Sequence, residues 1–134
     1  MLFPSNLARL ALLVLVGVAG SSPVAGKGPP IQSDNGAELG FSAMVADLAA
    51  ADVVLIGERH DDRAHHRVQQ TVIQALAGQR AVALGLEAFP AGEDQALADW
   101  RRGRIGDWPT FLDEAAWYRH WGVAPEAYRP VLET

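Results

Sequence analysis

Two short apolar runs on either side of a helical segment constrain the fold more than any other feature of the chain. The first, "DVVLIGE", covers residues 52–58, and the second, "AVALGLEAF", covers residues 81–89. Both are too short for a helix, and unalternated apolar strands are typical of a parallel sheet that is buried on both faces. A strand, a helix and a second strand in this order predict a βαβ unit. We therefore expect an α/β fold in which a parallel β-sheet is flanked by helices.

Helical spacing of apolar residues predicts the other regular elements. Residues 41–51 form one such segment, with Ser42 as a candidate cap at its beginning. The helix between the two strands is expected to begin near Asp61 or Asp62, either of which can cap it. A further short helix is expected over residues 92–103.

The first part of the chain predicts a secretory signal peptide. Arg9 supplies a positive charge, the apolar run "LALLVLVGVAG" covers residues 10–20, and small residues follow it. This run is shorter than the roughly 20 apolar residues that a membrane-spanning helix needs. We expect a signal peptide over residues 1–25, a polar linker over 26–38 and an α/β domain over 39–134. The protein is then exported to the periplasm or cell envelope.

Two parallel strands do not make a stable sheet, because such sheets need several strands with helices on both faces. We therefore expect the chain to be the N-terminal part of a larger α/β domain, or to borrow strands from a partner.

Composition excludes several classes of function. The formal net charge of the 134 residues is −5, whereas a nucleic-acid-binding surface is basic. The chain has no cysteine, which excludes disulfides, thiolate metal sites and a thiol nucleophile. Lipid attachment through an N-terminal cysteine is not expected for the same reason.

Acidic residues follow both predicted strands and mark a candidate site. Glu58 ends the first run, and Glu87 ends the matching "LGLE" of the second. Because ligands of α/β sheets bind beyond the carboxyl ends of the strands, both carboxylates are expected at one edge of the sheet. Two close carboxylates favour a cation, a shared proton or an imidazole, and His60 lies nearby. Taken singly, each glutamate could instead cap a helix or pair with an arginine.

Two adjacent histidines begin the helix that follows the first strand. Helical geometry places His65 within the apolar face, directed at the edge of the sheet. The same geometry places His66 on the flank of that face, directed at a neighbouring element or solvent. The alternative is that one histidine bonds a loop carbonyl and the other is a surface residue. The spacing does not match the HExxH zinc motif.

Aromatic residues are concentrated near the end of the chain. They could be core residues, or they could together form the wall of an apolar pocket for a flat ligand. Tyrosine is also an axial ligand of ferric haem. The members of interest are Trp117, Tyr118, Trp121 and Tyr128.

These segments resemble a known family. "LIGERHDDRAHHRVQQ", "VALGLEAF", "DQALADW" and "WYRHWGVAPEAYRPVLE", in this order, are similar to the ChaN-like family of haem-binding, iron-regulated exported proteins. Its wider superfamily includes erythromycin-esterase-like domains and Tiki-type metalloproteases. The resemblance covers residues 40–133. It implies a larger α/β domain, haem binding in a homodimer, and a role in haem or iron uptake with envelope haem-transport components.

The resemblance also implies site residues. A tyrosine ligates the haem iron in the family, and Tyr128, in the matching Y-x-P segment, is the candidate here, with Tyr118 as the alternative. The superfamily's site motifs fall on Glu58, His60, His66 and Glu87. With the residues indicated by helix geometry, the candidate haem-binding set is Glu58, His60, His65, His66, Glu87, Tyr118 and Tyr128.

Three hypotheses about function remain open at this point. The first is an exported haem-binding protein. The second is a metal-dependent or acid/base hydrolase, in which Glu58 and Glu87 hold a divalent metal or activate water and a histidine such as His60 transfers the proton. The third is an inactive, truncated remnant.

Overall fold

The structure, a computed structural model, describes residues 10–14, 31–33, 35–90, 92 and 94–134. The described part mixes helices and strands, as predicted, but its strands form only two-stranded sheets, so the predicted parallel sheet core is not confirmed. The strands are β1 (Leu10–Val14), β2 (Ile31–Gln32), β3 (Glu38–Leu39) and β4 (Val53–Gly57). The α-helices are α1 (Phe41–Ala49), α2 (Arg63–Ala77), α3 (Asp94–Arg101), α4 (Trp108–Glu114), α5 (Trp117–His120) and α6 (Arg129–Leu132), with a 3₁₀-helix over Pro125–Ala127.

The strand predicted at residues 52–58 is present as β4. It pairs in parallel with β1, with Leu10 opposite Val53 and Val14 opposite Gly57. β2 and β3 form a separate antiparallel pair. The first apolar run therefore forms the strand that carries the candidate site at its carboxyl end.

The second predicted strand does not form. Residues 81–86 belong to no strand, and residues 87–89 form a turn. The expected βαβ unit, with residues 52–58 and 81–89 as paired strands, is therefore wrong in its second strand. A segment becomes a strand only when a neighbour pairs with it, and in the described part of the chain β4 pairs with β1 and not with residues 81–89.

The two helices next to β4 lie close to the predicted bounds. Gly40 precedes α1 without a side-chain cap, so the proposed Ser42 cap is not formed. Asp62 caps α2, accepting a hydrogen bond of 2.8 Å from the Ala64 N–H. This cap fixes where α2 begins and thereby places its first-turn histidines beside the end of β4.

Two hydrophobic clusters hold the elements that carry the site. The first lies between α1 and α2, where Val45 and Val72 are buried, and Val54 and Ile56 of β4 pack against it. The second is the aromatic cluster, in which Phe111 and Trp117 are fully buried. The reading of Trp117 as a core residue is thus supported by its burial.

The predicted signal peptide and linker fall mostly outside the described residues, which leave out 1–9 and 15–30. Of the apolar run, Leu10–Val14 is described and forms β1. In the part of the chain that the structure describes, no helix has the length and apolar character to cross a membrane.

Candidate functional site

Glu58, the residue after β4, is the centre of the candidate site. Its side chain is only 10% exposed and contacts three other side chains. The Tyr128 hydroxyl donates a hydrogen bond to Oε1, and His60 Nδ1 lies 3.0 Å from the same oxygen. His66 Nε2 lies 2.6 Å from the other oxygen, Oε2. A nearly buried carboxylate thus contacts a phenol and two imidazoles, and the hydrogen bond from the Tyr128 hydroxyl lowers the cost of burying it.

His66 has a defined tautomer in this arrangement. Its Nδ1 lies 2.9 Å from the carbonyl oxygen of Ala127. Because a carbonyl only accepts hydrogen bonds, Nδ1 carries the proton, and a neutral ring then presents an unprotonated Nε2 to Glu58. The close contact between Nε2 and Glu58 Oε2 lacks hydrogen-bond geometry. Burial lowers the pKa of His66, and the Glu58 carboxylate partly opposes this shift. The two facing atoms can therefore take up a shared proton or a cation.

Tyr128 reaches the site from the far end of the described chain. It is 4% exposed, its ring lies 4.2 Å from that of His66 between centroids, and Trp117 packs on it edge to face at 5.3 Å. Burial is the main cause that raises its pKa, and the hydrogen bond to Glu58 raises it further. The phenol therefore keeps its proton at neutral pH and acts as a hydrogen-bond donor.

His60 connects the buried centre to solvent. Its side chain is 45% exposed, and its Nδ1 lies 3.3 Å from the Tyr128 hydroxyl. The Trp121 ring meets the His60 ring edge to face, with centroids 4.7 Å apart. His60 and Trp121 thus form the outer edge of the site above Tyr128.

Glu87 faces the same cleft as Glu58, although the predicted second strand is missing. The cleft has a volume of about 790 Å³ and is lined by β4 and residues 81–88, with Trp121 and Tyr128 at the same end as the two glutamates. The charge of Glu87 is also among the smaller causes that raise the pKa of Tyr128. The structure therefore brings both acidic residues to one cleft, as the sequence predicts.

His65 lies apart from this cluster. It is buried, its Nδ1 accepts a hydrogen bond of 2.9 Å from the Arg59 N–H, and its Nε2 lies 3.7 Å from Asp62 Oδ2. His65 thus holds the turn between β4 and α2 by accepting from a backbone N–H. The alternative of one carbonyl-bonded and one surface histidine is wrong, because both histidines are buried. His66, assigned to the flank of the helix, contacts the neighbouring 3₁₀-helix and is the one that reaches Glu58.

Tyr118, the alternative tyrosine, is 69% exposed on α5. The side chains that contact Glu58 are those of Tyr128, His60 and His66, and Tyr118 is not one of them. The structure brings together Glu58, His60, His66 and Tyr128, with Glu87 in the same cleft.

Sequence reasoning missed Gln70 and the backbone carbonyls near Tyr128. The Gln70 Nε2 group donates a hydrogen bond of 2.9 Å to the Pro130 oxygen. No sequence signal marks this residue, because a glutamine on a helix surface is ordinary. Among the described residues, no group of three or more histidine, aspartate or glutamate side chains is arranged to hold a metal ion.

Comparison with known proteins identifies the class of protein. A family model described as haem-binding uptake proteins of the ChaN type, within the Tiki superfamily, matches residues 44–134. The match covers most of the chain, so the chain belongs to this family, as the resemblance in the sequence indicates. No curated protein and no solved structure shows significant similarity to the chain.

Proposed function

We propose that the protein is an exported protein that binds ferric haem at the cleft beside Glu58 and acts in haem or iron uptake at the cell envelope. The observation that carries this proposal is the haem-binding family match over residues 44–134, which includes every residue of the site. The site adds a buried tyrosine whose hydroxyl lies at one end of an apolar cleft.

The cleft suits a large, flat, mostly apolar ligand. Its volume of about 790 Å³ lies within the range of roughly 300–1,000 Å³ that is typical of ligand pockets. Apolar residues of β4 and of residues 81–86 form most of its wall, and Glu58, Glu87 and Tyr128 are among its polar lining residues. Trp121 and Tyr128 supply aromatic surface to the cleft, and the His60 ring packs against Trp121.

Tyr128 is the better candidate for the iron ligand. Tyr128 would hold haem through its phenol oxygen, and haem would supply an iron that binds tyrosine oxygen. Tyr128 lines the cleft and is positioned by Glu58, His66 and Trp117, whereas Tyr118 lies on the surface. Glu58, which accepts the Tyr128 hydrogen bond, is well placed to take the phenol proton when ligation requires it.

Haemin titration of the full chain tests this proposal. We expect a saturable change in the Soret band of haem, and Tyr128→Phe should weaken binding at least tenfold, about 1.4 kcal/mol. Tyr118→Phe is the matched control, because it removes the same atom from an exposed ring. A chain that gives no saturable change would refute haem binding, and equal losses in both variants would refute the assignment of Tyr128.

The wider parts of the proposal concern location and partners. The predicted signal peptide is the basis for proposing export to the periplasm or envelope. The homodimer and the exchange of haem with envelope transport components are proposed from the sequence resemblance alone. Recovery of the protein from a periplasmic extract, and its mass in solution with and without haemin, test these two parts separately.

A hydrolase is the second candidate function. It is favoured by the Glu58 carboxylate, which lies 2.6 Å from His66 Nε2 and 3.0 Å from His60 Nδ1, an arrangement suited to acid/base catalysis. In this proposal Glu87 assists in holding a divalent metal or in activating water. Metal analysis of the purified chain, and hydrolysis of ester and peptide substrates by wild type and Glu58→Gln, would distinguish it from haem binding.

A further inference from the structure

The helix α2 contacts the backbone on both sides of Tyr128. His66 Nδ1 donates to the carbonyl oxygen of Ala127, the residue before the tyrosine, at 2.9 Å. Gln70 Nε2 donates to the carbonyl oxygen of Pro130, two residues after it, also at 2.9 Å. His66 and Gln70 are four residues apart, so they lie on one face of the helix.

The segment that carries Tyr128 has little regular structure of its own. Tyr128 lies between the three-residue 3₁₀-helix Pro125–Ala127 and the four-residue helix α6. Helices this short are not stable alone in water, so their position depends on contacts with the rest of the molecule. The two hydrogen bonds from α2 span 61 and 60 residues of sequence and supply such contacts.

We infer that α2 positions Tyr128 through these two hydrogen bonds, and that Gln70 is a positioning residue of the site. We call His66 and Gln70, with the two carbonyls they bind, the α2 clamp. The clamp fixes the direction of the Tyr128 ring, so that the hydroxyl meets Glu58 at the end of β4. Its effect on haem binding rests on the proposed function, whereas its effect on Tyr128 does not.

Gln70 separates positioning from the chemistry of the site. His66 contacts Glu58 as well as Ala127, so a change there disturbs both. Within the described part of the chain, the Gln70 side chain hydrogen-bonds the Pro130 carbonyl and neither Glu58 nor Tyr128. The Thr134 hydroxyl also donates to the Pro130 oxygen, at 2.8 Å, so this carbonyl keeps a partner when Gln70 changes. A change in the position of Tyr128 or in haem affinity when Gln70 is replaced therefore reports on the α2 clamp.

The matched pair of variants is Gln70→Glu and Gln74→Glu. Glutamate has the shape of glutamine but cannot donate a hydrogen bond, so Gln70→Glu removes the bond to Pro130. Gln74 is exposed on the same helix, and its side chain makes no hydrogen bond to any described residue, so Gln74→Glu adds the same charge without breaking such a bond. Gln70→Met removes the donor without adding charge and serves as the second variant if Gln70→Glu does not fold.

Fluorine NMR of the chain labelled with 3-fluorotyrosine reads the position of Tyr128 directly. The chain has only two tyrosines, so Tyr118→Phe assigns the two signals. We expect the Tyr128 signal to shift or broaden in Gln70→Glu and Gln70→Met, and to stay unchanged in Gln74→Glu. An unchanged Tyr128 signal in both Gln70 variants, or an equal change in Gln74→Glu, would overturn the inference.

Haemin titration of the same variants tests the consequence for binding. We expect the dissociation constant to rise about threefold to tenfold in the Gln70 variants, the effect of one hydrogen bond, with a weaker tyrosinate charge-transfer band. Gln74→Glu should bind like wild type. If wild type binds no haemin, the proposed function fails, and the NMR result still decides on the clamp. If Tyr128→Phe weakens binding but the Gln70 variants do not, positioning by Gln70 is refuted.

Discussion

Replacing Tyr128 by phenylalanine should destabilise the folded chain through the loss of a single atom. The hydroxyl donates its hydrogen bond to the Glu58 carboxylate, in a part of the molecule where Tyr128 is 4% exposed. The ring contacts with Trp117 and His66 remain in the variant, because phenylalanine has the same ring. The change in free energy of unfolding therefore reports on the hydroxyl and its bond.

The expected magnitude follows from the charge of the acceptor. A hydrogen bond to a charged group contributes about 1.5–3 kcal/mol. Glu58 keeps His60 Nδ1 at 3.0 Å from the same oxygen, so the carboxylate is not left without a partner in the variant. We therefore expect the lower end of the range, about 1.5 kcal/mol.

Urea unfolding at neutral pH measures this loss. With a denaturant slope of about 1.5 kcal/mol per molar, typical of a small protein, the midpoint should fall by about 1 M. Tyr118→Phe is the control, because its ring is 69% exposed and surface changes usually stay within about 0.5 kcal/mol. The slope itself should be the same in wild type and both variants.

Two results would refute this reasoning. A loss in Tyr128→Phe no larger than in Tyr118→Phe would mean that the bond to Glu58 contributes nothing to stability. An unchanged loss when Tyr128→Phe is made in a Glu58→Gln background would mean that the effect does not pass through the carboxylate.

Three further outcomes are expected. Folding raises the pKa of Tyr128 above its ordinary value of about 10, so Tyr128 contributes to the free energy of unfolding below pH 10. This contribution is lost as pH rises through the folded-state pKa. Unfolding measured from pH 8 to 12 should therefore show stability falling above pH 10, and Tyr128→Phe should reduce that fall. Asp62→Ala removes the cap of α2 and should lower the urea midpoint more than Asp61→Ala does; equal effects would refute the cap. Because the hydrogen bond from the Ala64 N–H lowers the pKa of Asp62, the difference between the two variants should fade as pH drops through that lowered pKa. Phe111→Ala removes a fully buried ring of the aromatic cluster and should cost about 3–5 kcal/mol, measurable as a lost or strongly shifted thermal transition; a loss under 1 kcal/mol would show that this cluster is not a core.

Much of the region from β4 to α2 could be predicted from local sequence. The apolar run, the aspartate cap and the helical spacing each act over a few residues, so they place β4, the turn and α2 near their observed positions. Because Glu58 and the histidines lie within that region, their proximity was also predictable. Local sequence could not predict which of His65 and His66 meets Glu58. Both are buried, and the position of the 3₁₀-helix, whose Ala127 carbonyl bonds His66, decides between them.

The second strand shows where local sequence is insufficient. Residues 81–86 have the composition of a buried strand, yet none of them is in a strand, and Leu84 is 45% exposed. Pairing requires that the backbone N–H and C=O groups of two segments meet in register, and apolar composition does not determine whether they do. Glu87 nevertheless lies in the cleft of Glu58, because residues 81–88 line that cleft together with β4.

By itself, the sequence determined the short-range features of this protein: a strand that ends in an acidic residue, a capped helix after it, and histidines in the first turn of that helix. These depend on bonds and contacts within a few residues of each other. Only the tertiary structure decided that Tyr128, 70 residues further along, donates to Glu58, and that α2 holds the backbone on both sides of it. The physical reason is that a buried carboxylate must find partners wherever packing brings them, and packing is a property of the whole fold.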